Sequence, residues 1–208
     1  MSKVAIEGNA SGTGTLTIAA PNTNTNRTLN LPDNAGTFIT TGSTTGIDAS
    51  ALSTGTVAAA RLPAGSVLQV VEGSTDTEVA VSTTVYTDTG LTASITPSSA
   101  SNKVLVIVSQ QASLSRTSAN TEFNLDLQLL RGATVLEEYA DYVLFATATG
   151  LSNLGTQICV TYLDSPSTTS STTYKMQGRP DSTANSLVAT FQFLNRGRSS
   201  IILMEIAG

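Results

Sequence analysis

The first sixty-five residues carry too few large apolar side chains to build a hydrophobic core of their own. Thr, Asn, Ser, Gly and Ala separate the isolated aliphatic residues of this segment. Folding must offset an ordering entropy of about 1 to 2 kcal/mol per residue, and such a segment has little apolar surface to bury. The segment is therefore either a flexible tail or one strand of an intertwined shaft in which several copies share a core.

We favour the shared shaft, because short stretches of the segment alternate apolar and polar residues as β-strands do. Around a threefold axis, copies of these apolar residues would bury one another. The sequence therefore predicts an obligate homotrimer with an intertwined β-shaft. The predicted shaft contacts are Leu16, Ile18, Leu29, Leu31 and Phe38.

Changes in residue composition along the sequence divide the chain into three parts. Residues 1–41 are predicted to form the shaft, 42–65 a neck or collar, and 66–208 a C-terminal knob. Asp48 and Arg61 are the only charged residues of the neck, and small apolar neighbours partly desolvate both. Because an unpaired desolvated charge is costly, we expect these two residues to form an ion pair within or between chains.

The knob has the pattern of an all-β domain. Residues 121–129 (TEFNLDLQL) alternate, as a half-buried strand does. Lys103–Gln110 (KVLVIVSQ) is apolar on both faces, as in a central strand of a sandwich or a strand that faces a subunit contact. About ten candidate strands, separated by loops of Ser, Thr, Gly and Pro, predict an antiparallel sandwich of the jelly-roll kind. The candidates are 67–72, 78–86, 89–96, 103–114, 121–131, 134–146, 154–164, 172–178, 187–194 and 200–206.

Composition argues against several classes of partner. With 12% charged residues and a formal net charge of −5, the chain lacks the basic surface that binds nucleic acid. The start, MSKVAIEGNA, has no apolar signal-peptide stretch, and the longest apolar run, Val104–Val108, is far shorter than a membrane span. We expect synthesis in a cytoplasm and no membrane insertion. Cys159, in the alternating stretch 157–162, is predicted to be a small buried hydrophobe.

Enzymatic machinery is not expected. The chain has no His, which excludes Ser-His-Asp and Cys-His arrangements. Glu137, Glu138 and Asp141 are close in sequence, and paired carboxylates can hydrolyse glycosides. We favour the simpler interpretation that they are charges at a solvated strand edge, where they discourage edge pairing. No catalytic residue is therefore assigned.

Loop oxygens offer weak binding signals. Asp164, Asp181 and Asn185 could bind Ca²⁺, but no segment has the spaced oxygens of an EF-hand loop, so neither a metal nor another cofactor is predicted. Loop 179–186 and turn 195–198 carry donors and acceptors that suit sugar hydroxyls or anionic polysaccharide. Solvated turns are an equally good interpretation of both.

Several motifs resemble those of bacteriophage tail fibres. The first two, LTIAAP and RTLNLPD, are similar to a shaft segment of these fibres, and the neck resembles their IDASAL…GT…ARLP element. The knob is similar to the terminal domain of fibres from cyanophages and related phages. The matching residues are 16–21 and 27–33 in the shaft, 47–63 in the neck, and 89–97, 162–166 and 203–208 in the knob.

The resemblance implies a homotrimeric virion fibre. Residues 1–41 would attach it to baseplate, tail or adaptor proteins, and the knob would bind a host-surface glycan during adsorption. A head fibre or capsid decoration protein is the alternative on the same particle. A small polysaccharide-degrading enzyme is the alternative of another class.

The predicted host-facing loops follow from a strand count. If the chain enters the knob at Gly65 and ten strands run up and down, every second connection lies at the far tip, and loop 179–185 lies near the neck. One miscounted strand would exchange the two sets. Hydroxyls and guanidinium groups at the tip would suit anionic glycans. The predicted receptor-binding residues are Arg131, Ser167, Thr169, Asn195, Arg196 and Arg198.

Overall fold

The computed structural model describes residues 11–14, 24, 57, 61–117, 124–140, 152–195 and 197–208. The chain divides into two compact units, 1–54 and 55–208. In the first unit, the described residues are exposed. Arg61 of the second unit is also exposed. The predicted shaft contacts Leu16, Ile18, Leu29, Leu31 and Phe38 lie outside the described residues, as does Asp48.

The second unit is built from antiparallel β-strands, so the prediction of an all-β fold is confirmed. Within residues 67–208 as described, the 3-10 helices Ala184–Ser186 and Phe193–Asn195 accompany the strands. The strands of the described residues are β1 (Val67–Thr75), β2 (Val79–Val81), β3 (Thr87–Ile95), β4 (Lys103–Arg116), β5 (Leu125–Arg131), β6 (Thr134–Tyr139), β7 (Ser152–Asp164), β8 (Thr172–Pro180), β9 (Val188–Phe191) and β10 (Ser199–Ile206).

Each predicted strand corresponds to one observed strand. Within the described residues, the largest difference concerns β2, which was predicted over 78–86 and spans only Val79–Val81. Residues 121–123 and 141–146 of the predicted strands lie outside the described residues. The residues that follow it, 82–85, are all exposed, so the stretch leaves the sheet and forms part of a loop. β4 lies between β10 and β9 on one side and β7 on the other, as predicted for a central strand.

The strand order is that of a jelly roll. β1 and β2 run in the same direction, because their partners β10 and β9 both run antiparallel to β4. β1 and β2 are thus two parts of one interrupted strand, and so are β10 and β9. Counted in this way, the ten strands of the described residues become eight. The first sheet has the order β1/β2, β10/β9, β4, β7, and the second has β3, β8, β5, β6. In the eight-strand count these orders are 1-8-3-6 and 2-7-4-5, an antiparallel sandwich of the jelly-roll kind.

Inward-facing residues of both sheets form one core. Alternate residues of β4 are fully buried, and Tyr174 and Phe191 are among the largest side chains of the core. β5 is buried on both faces from Leu125 to Leu130, so the prediction of a half-buried strand is wrong for these residues, because Asp126 and Gln128 are covered as well. Gly178 lies where a Cβ atom would come 2.4 Å from the Phe191 ring, so no larger residue fits beneath that ring. The inward-facing residues of β4 and β5 include Val104, Val106, Val108, Leu125, Leu127 and Leu129.

The chain enters and leaves the sandwich at the same end. The Gly65 N–H donates to the Ala207 carbonyl at 2.8 Å. We call this the proximal end, and the opposite end the distal end. The strand pairings place loops 96–102, 132–133 and 165–171 at the proximal end. Loops 82–86 and 181–187 lie at the distal end.

The predicted tip is therefore wrong. Loops 97–102, 131–133 and 164–171, which were predicted at the tip, lie at the proximal end, while loop 179–185 lies at the distal end. The physical reason is that β1 continues into β2 without reversing direction. Because the chain reverses direction one time fewer at the start, every later connection between the sheets lies at the opposite end from the one predicted.

Cys159 is exposed, which contradicts its predicted burial. Its neighbours Ile158 and Val160 pack against the core. Because successive residues of a strand point to opposite faces, Cys159 faces outward. The alternation of this stretch was correct, but the sequence did not identify which set of residues faces the core.

Candidate functional site: a polar cluster at the distal end

Five polar residues meet at the distal end, and we call them the distal cluster. β5 and β8 pair so that Leu125 lies opposite Pro180 and Asp126 opposite Arg179. Residues that flank these pairs are therefore neighbours as well, although they are far apart in the sequence. β3 pairs with the other edge of β8. The cluster consists of Tyr86, Asn124, Asp126, Arg179 and Asp181.

Arg179 occupies the centre of the distal cluster. Its Nε donates to Oδ2 of Asp126 at 3.1 Å, and its Nη1 donates to the Thr84 carbonyl at 3.0 Å. The guanidinium carbon lies 4.3 Å from the centre of the Tyr86 ring, a cation–π contact. The Asp126 side chain is 4% exposed and that of Arg179 is 33% exposed. The buried carboxylate therefore fixes a cation that still reaches solvent.

Asn124 and Asp181 hold the ends of β5 and β8 together. The Asp181 N–H donates to the Asn124 carbonyl at 3.1 Å, and the Asn124 side-chain amide donates to Asp181 Oδ2 at 3.2 Å. Three buried polar atoms of the cluster nevertheless have no hydrogen-bond partner among the residues that the structure describes. Each such group costs about 1 to 3 kcal/mol when it is left unsatisfied. The three atoms are the Tyr86 phenol oxygen, Asn124 Oδ1 and Asp181 Oδ1.

Burial favours a neutral phenol at Tyr86. Burial raises the pKa of Tyr86, the guanidinium of Arg179 opposes this rise, and the carboxylates of Asp126 and Glu138 add to it. The phenol therefore keeps its proton at neutral pH and can donate a hydrogen bond. With two carboxylates and one guanidinium, the cluster carries a formal charge of −1.

These groups can bind hydroxyl groups. Asn124 Oδ1 and Asp181 Oδ1 are acceptors without a donor among the described residues, and the Tyr86 phenol can both donate and accept, although all three atoms are buried in this structure. The net negative charge and the pairing of Arg179 with Asp126 do not suit an anion. Among the residues that the structure describes, no three acidic, His or Cys side chains come together in a group that could hold a metal ion.

Arg131, Ser167 and Thr169 lie at the proximal end. Nη1 of Arg131 donates to both carboxylate oxygens of Asp164 at 2.8 Å, and the phenol of Tyr174 donates to the same carboxylate at 2.6 Å. Arg131 is thus engaged within the sandwich. Ser167 and Thr169 are exposed in the loop between β7 and β8.

Arg198 lies beside the first sheet and belongs to neither end. Its Nη2 donates to the Ser74 hydroxyl at 2.7 Å and lies 3.8 Å from Oε1 of Glu72. Asn195 ends the 3-10 helix Phe193–Asn195, which interrupts the strand formed by β9 and β10. Arg196 lies outside the described residues. The six predicted receptor-binding residues therefore do not form one described site.

The candidate carboxylates and metal ligands are also separated. Glu137 and Glu138 are exposed on β6, and Asp141 lies outside the described residues. Asp164 is buried at the proximal end, whereas Asp181 is at the distal end. The absence of an enzymatic function remains a prediction from the sequence.

Sequence reasoning identified part of the distal cluster. Arg179 and Asp181 were recognised as polar loop residues but were placed near the neck. Tyr86, Asn124 and Asp126 were not singled out. Asp126 and Arg179 are fifty-three positions apart, so only the strand register could have brought them together.

Comparisons with known proteins do not assign the chain to a family. No model of a known protein family matches it, and no curated protein is significantly similar in sequence. In the described part of the chain, no helix is long and apolar enough to cross a membrane.

Proposed function

We propose that the protein is a bacteriophage tail fibre that mediates host adsorption, with the distal cluster as its receptor-binding site. In this proposal the chain forms a homotrimer, residues 1–41 attach it to other virion proteins, and the sandwich is the knob. The motif resemblance motivates the proposal. The support from geometry is that the distal cluster lies at the end opposite the chain entrance at Gly65.

The position of the distal cluster fits this role. A fibre that is anchored through its N-terminal segment presents the far end of its terminal domain to the host cell. Loops at that end, held by a rigid sandwich, are the usual location of binding residues. The observation that carries the proposal is the group of buried oxygens without partners on Tyr86, Asn124 and Asp181.

The ligand class is a neutral polysaccharide rich in hydroxyl groups. Sugar hydroxyls would supply the hydrogen bonds that the three buried oxygens lack once side-chain movement exposes them, and the Tyr86 ring offers an apolar surface beside them. This differs from the anionic glycan that the sequence favoured. Of the cations behind that expectation, Arg131 lies at the proximal end and Arg198 at neither end, and the distal cluster carries a net negative charge.

A glycan-binding experiment tests the proposal. Wild-type protein and the variant Asp181→Ala are applied to an array of neutral and acidic bacterial surface polysaccharides. We expect the wild type to bind one or more neutral glycans and the variant to lose at least tenfold in affinity. Wild-type binding to acidic glycans alone, or unchanged binding by the variant, would count against the proposal.

The chain offers a matched control on the same strand. Lys175 lies on β8, four residues before Arg179 in the sequence. It forms an ion pair with Asp88 at 2.8 Å. Arg179→Ala should abolish glycan binding, and Lys175→Ala should leave it unchanged. Equal losses in the two variants would indicate a general effect on the second sheet.

A further inference from the structure

The outer face of the first sheet carries a row of apolar side chains that takes no part in the core. The register places Val70 opposite Met204, Met204 opposite Leu105, and Leu105 opposite Leu163. Val70 is 57% exposed and Leu163 is 53% exposed. The row therefore crosses four strands, a width of about 15 Å at the usual strand spacing.

The next row continues this surface. Ile202 and Ile107 lie opposite each other in its centre, between Glu72 and Thr161. The alternate residues of the same strands point into the core instead. We call the six aliphatic residues of the two rows the apolar face. They are Val70, Leu105, Ile107, Leu163, Ile202 and Met204.

The apolar face occupies the proximal half of the sheet. One row further toward the distal end, the pairings bring together small polar residues, and the row after that pairs Gln111 with Gln157. The apolar rows are thus nearest the point where the chain enters. Exposed aliphatic residues, Val67 at 51% and Leu62 at 38%, precede the face along the chain. The small polar residues of the intervening row are Ser74, Ser200, Ser109 and Cys159.

We infer that the apolar face packs against further copies of this chain. Contiguous exposed apolar surface on a soluble domain usually marks a protein contact. A second copy is the occupant because residues 1–65 carry too few large apolar side chains for a core of their own, and the chain enters the sandwich at Gly65, at the same end as this face. If residues 1–65 of several chains join, they hold the proximal halves of the sandwiches at high local concentration.

The proposal that a second copy covers the apolar face rests on the proposed trimeric fibre. The exposure of the face does not depend on that proposal. The contact would extend self-association from the shaft into the sandwich. The sequence predicts self-association contacts at residues 16 to 61 and offers a subunit contact as one interpretation of Lys103–Gln110, which includes Leu105 and Ile107 of this face. Burying about 25 cal/mol per Å² of apolar area would then stabilise the knob within the assembly.

Thiol labelling of the purified full chain tests this inference. In a Cys159→Ser background, a single cysteine replaces Val70, Leu163 or Val135. Val135 is the matched control, because it is 43% exposed on β6 of the second sheet. We expect the Val70→Cys and Leu163→Cys proteins to react with a maleimide at least tenfold more slowly than Val135→Cys. All three should react equally after denaturation.

The outcomes separate the possible occupants. Protection at positions 70 and 163 in a protein that light scattering shows to be oligomeric supports the inference. Reaction as fast as at position 135 overturns it, because the face is then open. Protection in a monomer also overturns it, because the chain's own N-terminal segment then covers the face. Protection without glycan binding would contradict only the receptor-binding role of the distal cluster.

Discussion

The two ends of the sandwich differ in whether their buried polar groups have hydrogen-bond partners. At the proximal end, Glu205 is 1% exposed, and its carboxylate accepts hydrogen bonds from Gln69, Ser98 and Asn102 at 2.6 to 2.7 Å. At the distal end, three buried oxygens have no partner. Unsatisfied buried groups reduce stability, and they are common where a protein binds something else. The proximal end is therefore built for stability, and the distal end is available for binding.

Removing the proximal carboxylate should have the largest effect on stability. Glu205→Ala leaves the donors of Gln69, Ser98 and Asn102 without their acceptor, which we expect to lower the free energy of unfolding by about 3 kcal/mol. Chemical denaturation measures this change. The control is Glu72→Ala, since Glu72 is exposed and lies 3.8 Å from Arg198, and it should change stability by less than about 0.5 kcal/mol. Similar losses in both variants would contradict the account of the proximal end.

A matched pair of tyrosine variants compares the ends directly. Tyr174→Phe removes the 2.6 Å hydrogen bond to Asp164 at the proximal end and should cost about 1 to 2 kcal/mol. Tyr86→Phe removes a phenol oxygen that has no partner, so it should leave stability unchanged or slightly raised. Denaturation curves of both variants test this difference. A larger loss for Tyr86→Phe would show that its hydroxyl is satisfied in solution.

The pH dependence of stability should be the smallest effect. Burial tends to raise the pKa of Glu205, but hydrogen bonds from Asn102, Gln69 and Ser98 hold it below its usual value of 4.5. A carboxylate with a depressed folded pKa stabilises the protein above its unfolded pKa, and this contribution is lost as the pH falls toward the folded pKa. Wild type should therefore lose stability below about pH 4.5 more steeply than Glu205→Gln. Parallel curves for the two proteins would contradict this.

Local patterns in the sequence predicted the strands but not their connections. Period-two alternation located β10, which buries one face, and β5, whose alternate Leu residues face the core although its other face is buried as well. It did not show that β1 and β2 run in the same direction, since the residues between them have the polar composition of an ordinary turn. Alternation also did not tell which face of β7 is buried, so Cys159 was assigned wrongly.

Local sequence patterns could not predict the distal cluster, for the same reason. Its members come from three separate segments, and only the pairing of β5 with β8 makes Asp126 a neighbour of Arg179. The polar character of Arg179 and Asp181 was visible in the sequence. Their position depended on a count of strand reversals, and one error in that count moved them to the wrong end.

A nuclear magnetic resonance titration of labelled tyrosines tests the central claim most directly. The ligand is a neutral oligosaccharide selected on the glycan array, and Tyr174 at the proximal end serves as an internal reference. We predict that the Tyr86 resonances shift and saturate while those of Tyr174 stay unchanged. Shifts at Tyr174 with none at Tyr86 would place binding at the proximal end and contradict the account.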